Sequence, residues 1–248
     1  LFYPENFCRT RAIKRPSKMI FRQFFDPASS TFTYLLASRE NGEALIIDPV
    51  KSQSETYVAA INAMGARLVH AIDTHTHADH ITALGDLRDA TGCVTIMGDM
   101  SKALCVSQRV REGDLLKVDG IELKAIYTPG HTDESFSFVL NPAKPQAVFS
   151  GDVLLIRGSG RTDFQGGDAR RSWDSIVNKL FTLPDETVLY PAHDYKGCTA
   201  STIGDERRLN PRLAGRTESE YVAIMEGLRL PNPAMMDIAV PANLACGQ

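Results

Sequence analysis

At 248 residues, 43% of them hydrophobic and 23% charged, the chain has room for one large domain or two small ones around a sizeable core. A formal net charge of −3 excludes a nucleic-acid partner held by bulk electrostatics, and no apolar run reaches membrane-spanning length, so no membrane partner is expected. The five cysteines (Cys8, Cys93, Cys105, Cys198 and Cys246) are odd in number, widely spaced and never arranged as CxxC, which speaks against a disulfide framework or a zinc knuckle and for a reducing compartment.

Residues 1–18 are basic, with Arg9, Arg11, Lys14, Arg15 and Lys18 against Glu5 alone. They lack the apolar stretch of a secretory signal. They are set apart as an N-terminal extension or leader remnant, leaving 19–248 as one domain. Met19 to Phe25 and Thr31 to Ala37 read as a hairpin across Asp26-Pro27-Ala28-Ser29-Ser30, and Glu43 to Asp48 as a third strand ended by Pro49. Tyr57, Val58, Ile61 and Met64 recur at helical spacing before Gly65. Arg67 to Ile72 is an apolar strand. A helix carried by Ile81, Leu84 and Leu87 follows and stops at Gly92, and Val94 to Met97 returns as a strand.

From 109 to 140 the pattern is a meander, with strands at 115–118, 121–126 and 135–140 and a turn at Asp119-Gly120. Ala147 to Phe149 is another strand. Trp173, Ile176, Val177, Leu180 and Phe181 form an amphipathic stripe read as core. Thr187 to Tyr190 is a strand-like run leading into Pro191-Ala192-His193-Asp194-Tyr195, and Tyr221, Val222, Met225 and Leu228 mark a last helix. Strands in runs interleaved with helices suggest two sheets with helices outside them.

The chemistry is concentrated in Asp73-Thr74-His75-Thr76-His77-Ala78-Asp79-His80, which places three histidines and an aspartate within six positions after an apolar strand. His131, Asp152 and His193 also follow strand-like runs. Ends of strands in one layered domain can converge on a common rim. Residues two apart in an extended segment point the same way, so His75 and His77 could grip one side of an ion. A helix beginning near Ala78 would re-aim Asp79 and His80. Gly130 and Gly151 would permit close backbone approach beside His131 and Asp152. Imidazoles and a carboxylate without cysteine suit zinc, iron or manganese. His70, inside a strand, is expected to be structural, and Cys246 a buried, inert thiol.

This set, His-x-His-x-Asp-His with a later Gly-His, Gly-Asp and final His, resembles the metallo-β-lactamase superfamily. The resemblance runs from Met19 onward and implies an α+β fold: an αββα sandwich of two mixed sheets flanked by helices. In hydrolytic relatives such as glyoxalase II, positions matching His75, His77 and His131 hold one metal, those matching Asp79, His80 and His193 hold a second, and Asp152 bridges. Ligand counting alone therefore implies a two-metal hydrolase of S-acyl glutathione.

Four further motifs look like the persulfide dioxygenase branch: Gly160-Arg161-Thr162-Asp163-Phe164-Gln165, Tyr190 to Gly197, Asn210-Pro211-Arg212-Leu213, and the tail from Ala239 to Gly247. That resemblance implies one Fe(II) per chain held by His75, His131 and Asp152, with His77, Asp79, His80 and His193 orienting the ligands by hydrogen bonding. It implies oxidation of glutathione persulfide by O2 to sulfite and glutathione in sulfide catabolism. Arg161, Tyr195, Lys196 and Arg212 are then the candidate contacts to the glutathione carboxylates, unless Asp163 pairs with Arg161. The resemblance is compatible with a homodimer, and with a bacterial cytoplasm or, in a eukaryote, the mitochondrial matrix. A metal-binding or interaction protein that has kept only the fold is disfavoured, because all seven ligand positions are filled.

Overall fold

In the computed structural model, which describes residues 19–233 and 235–248, the first three strands already fix the layering. β1 (Ile20–Asp26), β2 (Thr31–Ala37) and β3 (Glu43–Ile47) form an antiparallel meander. Along β2, Phe32, Tyr34 and Leu36 enter one core cluster, whereas Leu35 and Ala37 enter another. β3 repeats the division, with Leu45 and Ile47 on one side and Ala44 and Ile46 on the other. Successive strand side chains face opposite sides, so strands apolar at every position require cover on both faces.

β4 (Arg67–Ile72), β5 (Val94–Gly98) and β6 (Gln108–Val110) add in parallel beside β3, completing a six-stranded mixed sheet in the order β1-β2-β3-β4-β5-β6. The second sheet contains β7 (Leu115–Val118), β8 (Ile121–Tyr127), β9 (Phe136–Leu140), β10 (Ala147–Gly151), β11 (Val188–Pro191) and β12 (Ser201–Thr202), in the order β12-β11-β10-β9-β8-β7. Only its β10–β11 pair is parallel.

Between the sheets lies a cluster that includes Tyr34, Ile47, Ile72, Phe136, Phe138 and Phe149. Each large side chain fully buried there contributes on the order of 2 kcal/mol. α1 (Ser54–Ala63) and α2 (Leu84–Thr91) cover the first sheet through Tyr57, Ile61, Leu84 and Leu87. α3 (Ala169–Asp174) runs on through a π turn (Ser175–Lys179) and a 3-10 turn (Leu180–Thr182). Together with α4 (Ile203–Leu209) and α5 (Glu218–Glu226), it covers the second sheet through Ile176, Leu180, Ile203, Tyr221 and Met225. The layers are helix, sheet, sheet, helix, as expected, and the stripe from Trp173 to Phe181 is core.

Three expectations need correction, and three short elements went unpredicted. α2 begins at Leu84 rather than near Ala78, because residues 78–83 are engaged by groups distant in sequence, described below. α5 is not the last helix: α6 (Met236–Leu244) follows and carries Pro241 within it. The short β6, β12 and α4 offered too few residues for a periodic signal.

The third correction concerns the cysteines. Cys105 and Cys246 form a disulfide with an S–S distance of 2.04 Å, so Cys246 is not a free thiol. The pair spans 141 positions, and no local spacing announces it. Cys93 is a buried free thiol. The basic extension expected at 1–18, Cys8 included, lies outside the described residues. Among the described residues no helix is long and apolar enough to cross a membrane.

Candidate metal centre

Four strand ends meet where the two sheets adjoin. β4 delivers His75 and its neighbours, β8 leads to His131, β10 ends at Gly151 and presents Asp152, and β11 leads to His193. The sheets are tied together at this edge by the Phe32 N–H donating to Ala192 O (2.7 Å) and by a bridge between Thr31 and His193. Two glycines let the loops close. Gly130 has φ of 145°, and a Cβ there would lie 2.3 Å from Ser172 Cα; Gly151 has φ of 54°, and a Cβ there would lie 2.7 Å from Thr74 Oγ1. Both close approaches match the expectation from sequence.

One ligand-capable atom from each of His75, His131 and Asp152 lies within 4.8 Å of the other two. The surrounding hydrogen bonds fix the tautomers. His131 Nδ1 faces the carbonyl oxygen of Arg161 at 2.7 Å. A carbonyl only accepts, so Nδ1 carries the proton and the Nε2 lone pair is left, 3.6 Å from Asp152 Oδ2. Thr74 Oγ1–H donates to Asp48 Oδ2 at 3.1 Å, and His75 Nδ1 lies 2.9 Å from Thr74 Oγ1. The hydroxyl proton being committed to Asp48, His75 Nδ1 must donate, which frees its Nε2. Burial, with His77 and His131 close by, holds the His75 imidazole well below its ordinary pKa, so it stays neutral and able to ligate.

Asp152 is oriented from the other side. His193 Nδ1 donates to Asp152 Oδ1 at 2.7 Å and His193 Nε2 donates to Asp79 Oδ2 at 2.8 Å. Burial disfavours an imidazolium, but the two carboxylates prevail and raise the His193 pKa well above its ordinary value. Burial likewise opposes ionisation of Asp152, yet His193 holds its carboxyl far below the usual carboxylate range. Asp79 Oδ2 also accepts from His80 Nδ1 (2.9 Å) and Thr31 Oγ1 (3.2 Å). Burial opposes its ionisation too, but His193 and His80 keep it anionic.

His77 lies beside His75, as two residues pointing the same way would, but one of its nitrogens is taken by a carboxylate. The two rings lie 4.2 Å apart, and His77 Nε2 donates to Asp48 Oδ1 at 3.1 Å. Against the pull of burial, Asp48 lifts the His77 pKa to about 9. Among the described residues, the ligand-capable atoms fall into three groups: His75–His131–Asp152, His77–Asp79–His80 and Asp48–Asp73–His77. In the last group, burial pushes the Asp73 carboxyl up to about 7.

A pocket of about 520 Å³ opens onto His131, Asp152, Asp79 and His193. All four cationic or hydroxyl candidates line it, in different conditions. The Arg161 guanidinium is fully engaged, donating to both oxygens of Asp163 (2.6 and 2.7 Å) and to Pro231 O (2.7 Å) while lying 3.7 Å over the Phe164 ring. Arg212 Nη1 donates to Ser159 O at 2.5 Å. Lys196 is exposed and makes a long 3.4 Å bond to Arg157 O. Tyr195 is 70% exposed and its ring stacks parallel to His193 at 6.0 Å. His70 sits in β4 opposite Leu45 and Val94, away from the site.

Sequence reading missed Asp48, Thr74, Thr31 and Asn243. Asp48 ends a strand just as the ligands do, which was a usable signal. Asn243 lies in the tail motif, though its partners do not show in sequence, and the threonines carry no signal without coordinates.

A model of the metallo-beta-lactamase superfamily matches residues 26–105 and 106–193. The chain is 46% identical over 230 residues to the human mitochondrial persulfide dioxygenase ETHE1, covering 92% of this chain and 89% of that protein, and 45% identical over the same shares to the mouse protein. The crystal structure of ETHE1 from Myxococcus xanthus superimposes with a TM-score of 0.88 at 48% identity, over 92% of this chain and all of that one.

Proposed function

The chain belongs to the metallo-β-lactamase superfamily and, within it, to the persulfide dioxygenase family; from that premise we propose that His75, His131 and Asp152 hold a single ferrous ion that serves the oxidation of glutathione persulfide. The overall change is glutathione persulfide, dioxygen and water giving glutathione, sulfite and two protons. When bound, iron supplies the one-electron chemistry that dioxygen requires, and two imidazoles with one carboxylate leave room for substrate and oxygen.

The observation that carries this reading is the partition of donors. His75 and His131 each have Nδ1 engaged and Nε2 free, and Asp152 Oδ2 lies beside them. Among the groups a second ion would need, His193 has both nitrogens facing carboxylates, and Asp79 accepts from His193 and His80, whereas His77 is engaged at Nε2 by Asp48 with its Nδ1 unpaired. In this reading His193 and Asp79 are committed to orienting Asp152, which leaves a second ion without two of its ligands.

The protein's own groups bind and orient the substrate. Tyr195 and Lys196 line the 520 Å³ pocket, and their hydroxyl and ammonium are groups that can pair with glutathione carboxylates. Arg161 and Arg212, engaged elsewhere, shape the wall: Arg161 fixes the carbonyl that holds His131, and Arg212 holds Ser159. Phe164, Leu230 and Pro231 add apolar surface beside the triad and limit water there. His193 keeps Asp152 ionised and aimed.

A dinuclear hydrolase of S-acyl glutathione is the second reading, favoured by the proximity of His77, Asp79 and His80. Oxygen uptake by protein loaded with ferrous iron under anaerobic conditions separates the two. Consumption of O2 with glutathione persulfide and formation of sulfite are expected. Hydrolysis of S-lactoylglutathione by zinc-loaded protein, with no oxygen uptake by the iron form, would overturn the dioxygenase reading.

A further inference from the structure

The loop from His77 to Thr82 has no regular secondary structure of its own beyond an isolated bridge at Thr82, yet its backbone groups are held by one side chain from the opposite end of the chain. Asn243, in α6 and 2% exposed, donates from Nδ2 to His77 O (2.9 Å) and His80 O (2.8 Å) and accepts the Thr82 N–H at Oδ1 (2.9 Å). An amide is the one short side chain offering two donors and an acceptor in a plane. Aspartate would set an oxygen against two carbonyls, and alanine would leave three buried backbone groups without partners.

Asn243 is kept in place by the tail that follows it. The Gly85 N–H donates to Cys246 O at 2.9 Å, and Lys51 Nζ donates to Gly247 O at 2.7 Å. Gly247, with φ of 82°, lies so close to the metal loop that a Cβ there would be 2.1 Å from Thr82 O. The disulfide to Cys105 anchors the same turn covalently to the first sheet's edge.

We propose that Asn243 is the positioning residue for the metal loop, and that the Cys105–Cys246 disulfide holds it there. The proposal rests on the reading of His75, His131 and Asp152 as the metal set. Asn243 touches neither metal nor substrate; it acts by fixing the carbonyls of His77 and His80, and so the rings that pack against His75 and bind Asp48 and Asp79. Groups that hydrogen-bond a metal ligand directly contribute about ten- to a hundredfold to metal affinity or activity, which bounds the effect of Asn243 from above.

The test uses the full chain carrying Asn243→Ala, Asn243→Asp or Cys105→Ser, with two readouts: ferrous-ion affinity by anaerobic titration, and hydrogen exchange of the Thr82 amide in the metal-free protein. Asn243→Ala is expected to speed Thr82 exchange about tenfold, the equivalent of one lost hydrogen bond, and to weaken iron binding. Asn243→Asp is expected to weaken iron binding while Thr82, which keeps its acceptor, exchanges slowly. Cys105→Ser is expected to speed Thr82 exchange without touching any hydrogen bond of the loop.

Unchanged iron affinity in both Asn243 variants, with only a lower melting temperature, would reduce Asn243 to a packing role and overturn the proposal. Thr82 exchange unaltered by Cys105→Ser, or peptide mapping that finds Cys105 and Cys246 as thiols in aerobically purified protein, would overturn the tether. Should the Asn243→Ala and Asn243→Asp variants fail to fold, Asn243→Gln, which keeps the amide but displaces it by one methylene, is read by the same two measurements: weaker iron binding supports the proposal and unchanged iron affinity overturns it. Because exchange is read without metal, its result stands apart from whether the metal set is correctly assigned.

Discussion

Gly160 makes a sharp test of the site, because its two nearest neighbours are both candidate ligands. Its N–H donates to Asp152 O at 2.7 Å. A Cβ at this position would lie 2.2 Å from that oxygen, 2.9 Å from His131 Nδ1 and 3.0 Å from His131 Cγ, where ordinary contact begins at 3.4 Å. Gly160 has no left-handed φ, so Gly160→Ala acts by steric displacement alone. The obstructing atoms are a main-chain carbonyl and a ring held by Arg161 O, neither a flexible side-chain tip. Relief requires movement of roughly 1 Å, and misplacement of that size costs about a hundredfold in rate.

The assay is iron content per chain after anaerobic reconstitution, together with oxygen uptake. Gly92→Ala is the control: φ is 71° with open space around it, so it costs about 1 kcal/mol of backbone strain and leaves the site untouched. Wild-type iron content and turnover in Gly160→Ala would refute the packing argument. Equal losses in Gly92→Ala would attribute them to global stability.

Lys196→Ala is expected to raise KM for glutathione persulfide about tenfold with kcat unchanged, since a remote carboxylate contact is made equally in ground and transition states; a fall in kcat at constant KM would place Lys196 in the chemistry. Arg161→Lys is expected to lower iron retention more than it raises KM, because Arg161 O holds His131 and the guanidinium fixes that segment; a pure KM effect would return Arg161 to the substrate-binding role. Asp26 gives a pH signature. Burial raises its pKa, but donation by the Ser29 hydroxyl and N–H (2.6 and 2.9 Å) outweighs this and leaves it below its ordinary value. A depressed folded-state pKa stabilises above the unfolded value and is lost as pH falls through the folded one. Urea unfolding should therefore show Asp26→Asn less stable by about 1 kcal/mol at neutral pH, the gap closing in acid; a gap constant with pH would contradict the assignment.

The layering was legible in sequence because the strands are long and apolar on both faces, and the Gly65 and Gly92 helix stops were where the periodicity put them. That His75, His131 and Asp152 would converge was legible because each follows a strand; choosing these three from the seven donors rested on resemblance. Less was legible wherever a role depends on a partner distant along the chain. Arg161 and Arg212 look like free cations in sequence and are committed to local acceptors in space. His77 sits two residues from His75 with its ring beside it, but nothing in sequence shows that Asp48, 29 positions earlier, engages its Nε2. Cys246 pairs across 141 positions, and Asn243 clasps a loop 163 and 166 residues away. Such closures carry no local pattern.

The central claim is that one ion, held by His75, His131 and Asp152, does the work of a site that offers donors for two. Its most direct measurement is the number of ferrous ions bound per chain in anaerobic titration of wild type, His131→Ala and His77→Ala. One ion in wild type, none in His131→Ala, and one, more weakly held, in His77→Ala is the expected result. Two ions in wild type, with His77→Ala losing one outright, would contradict it.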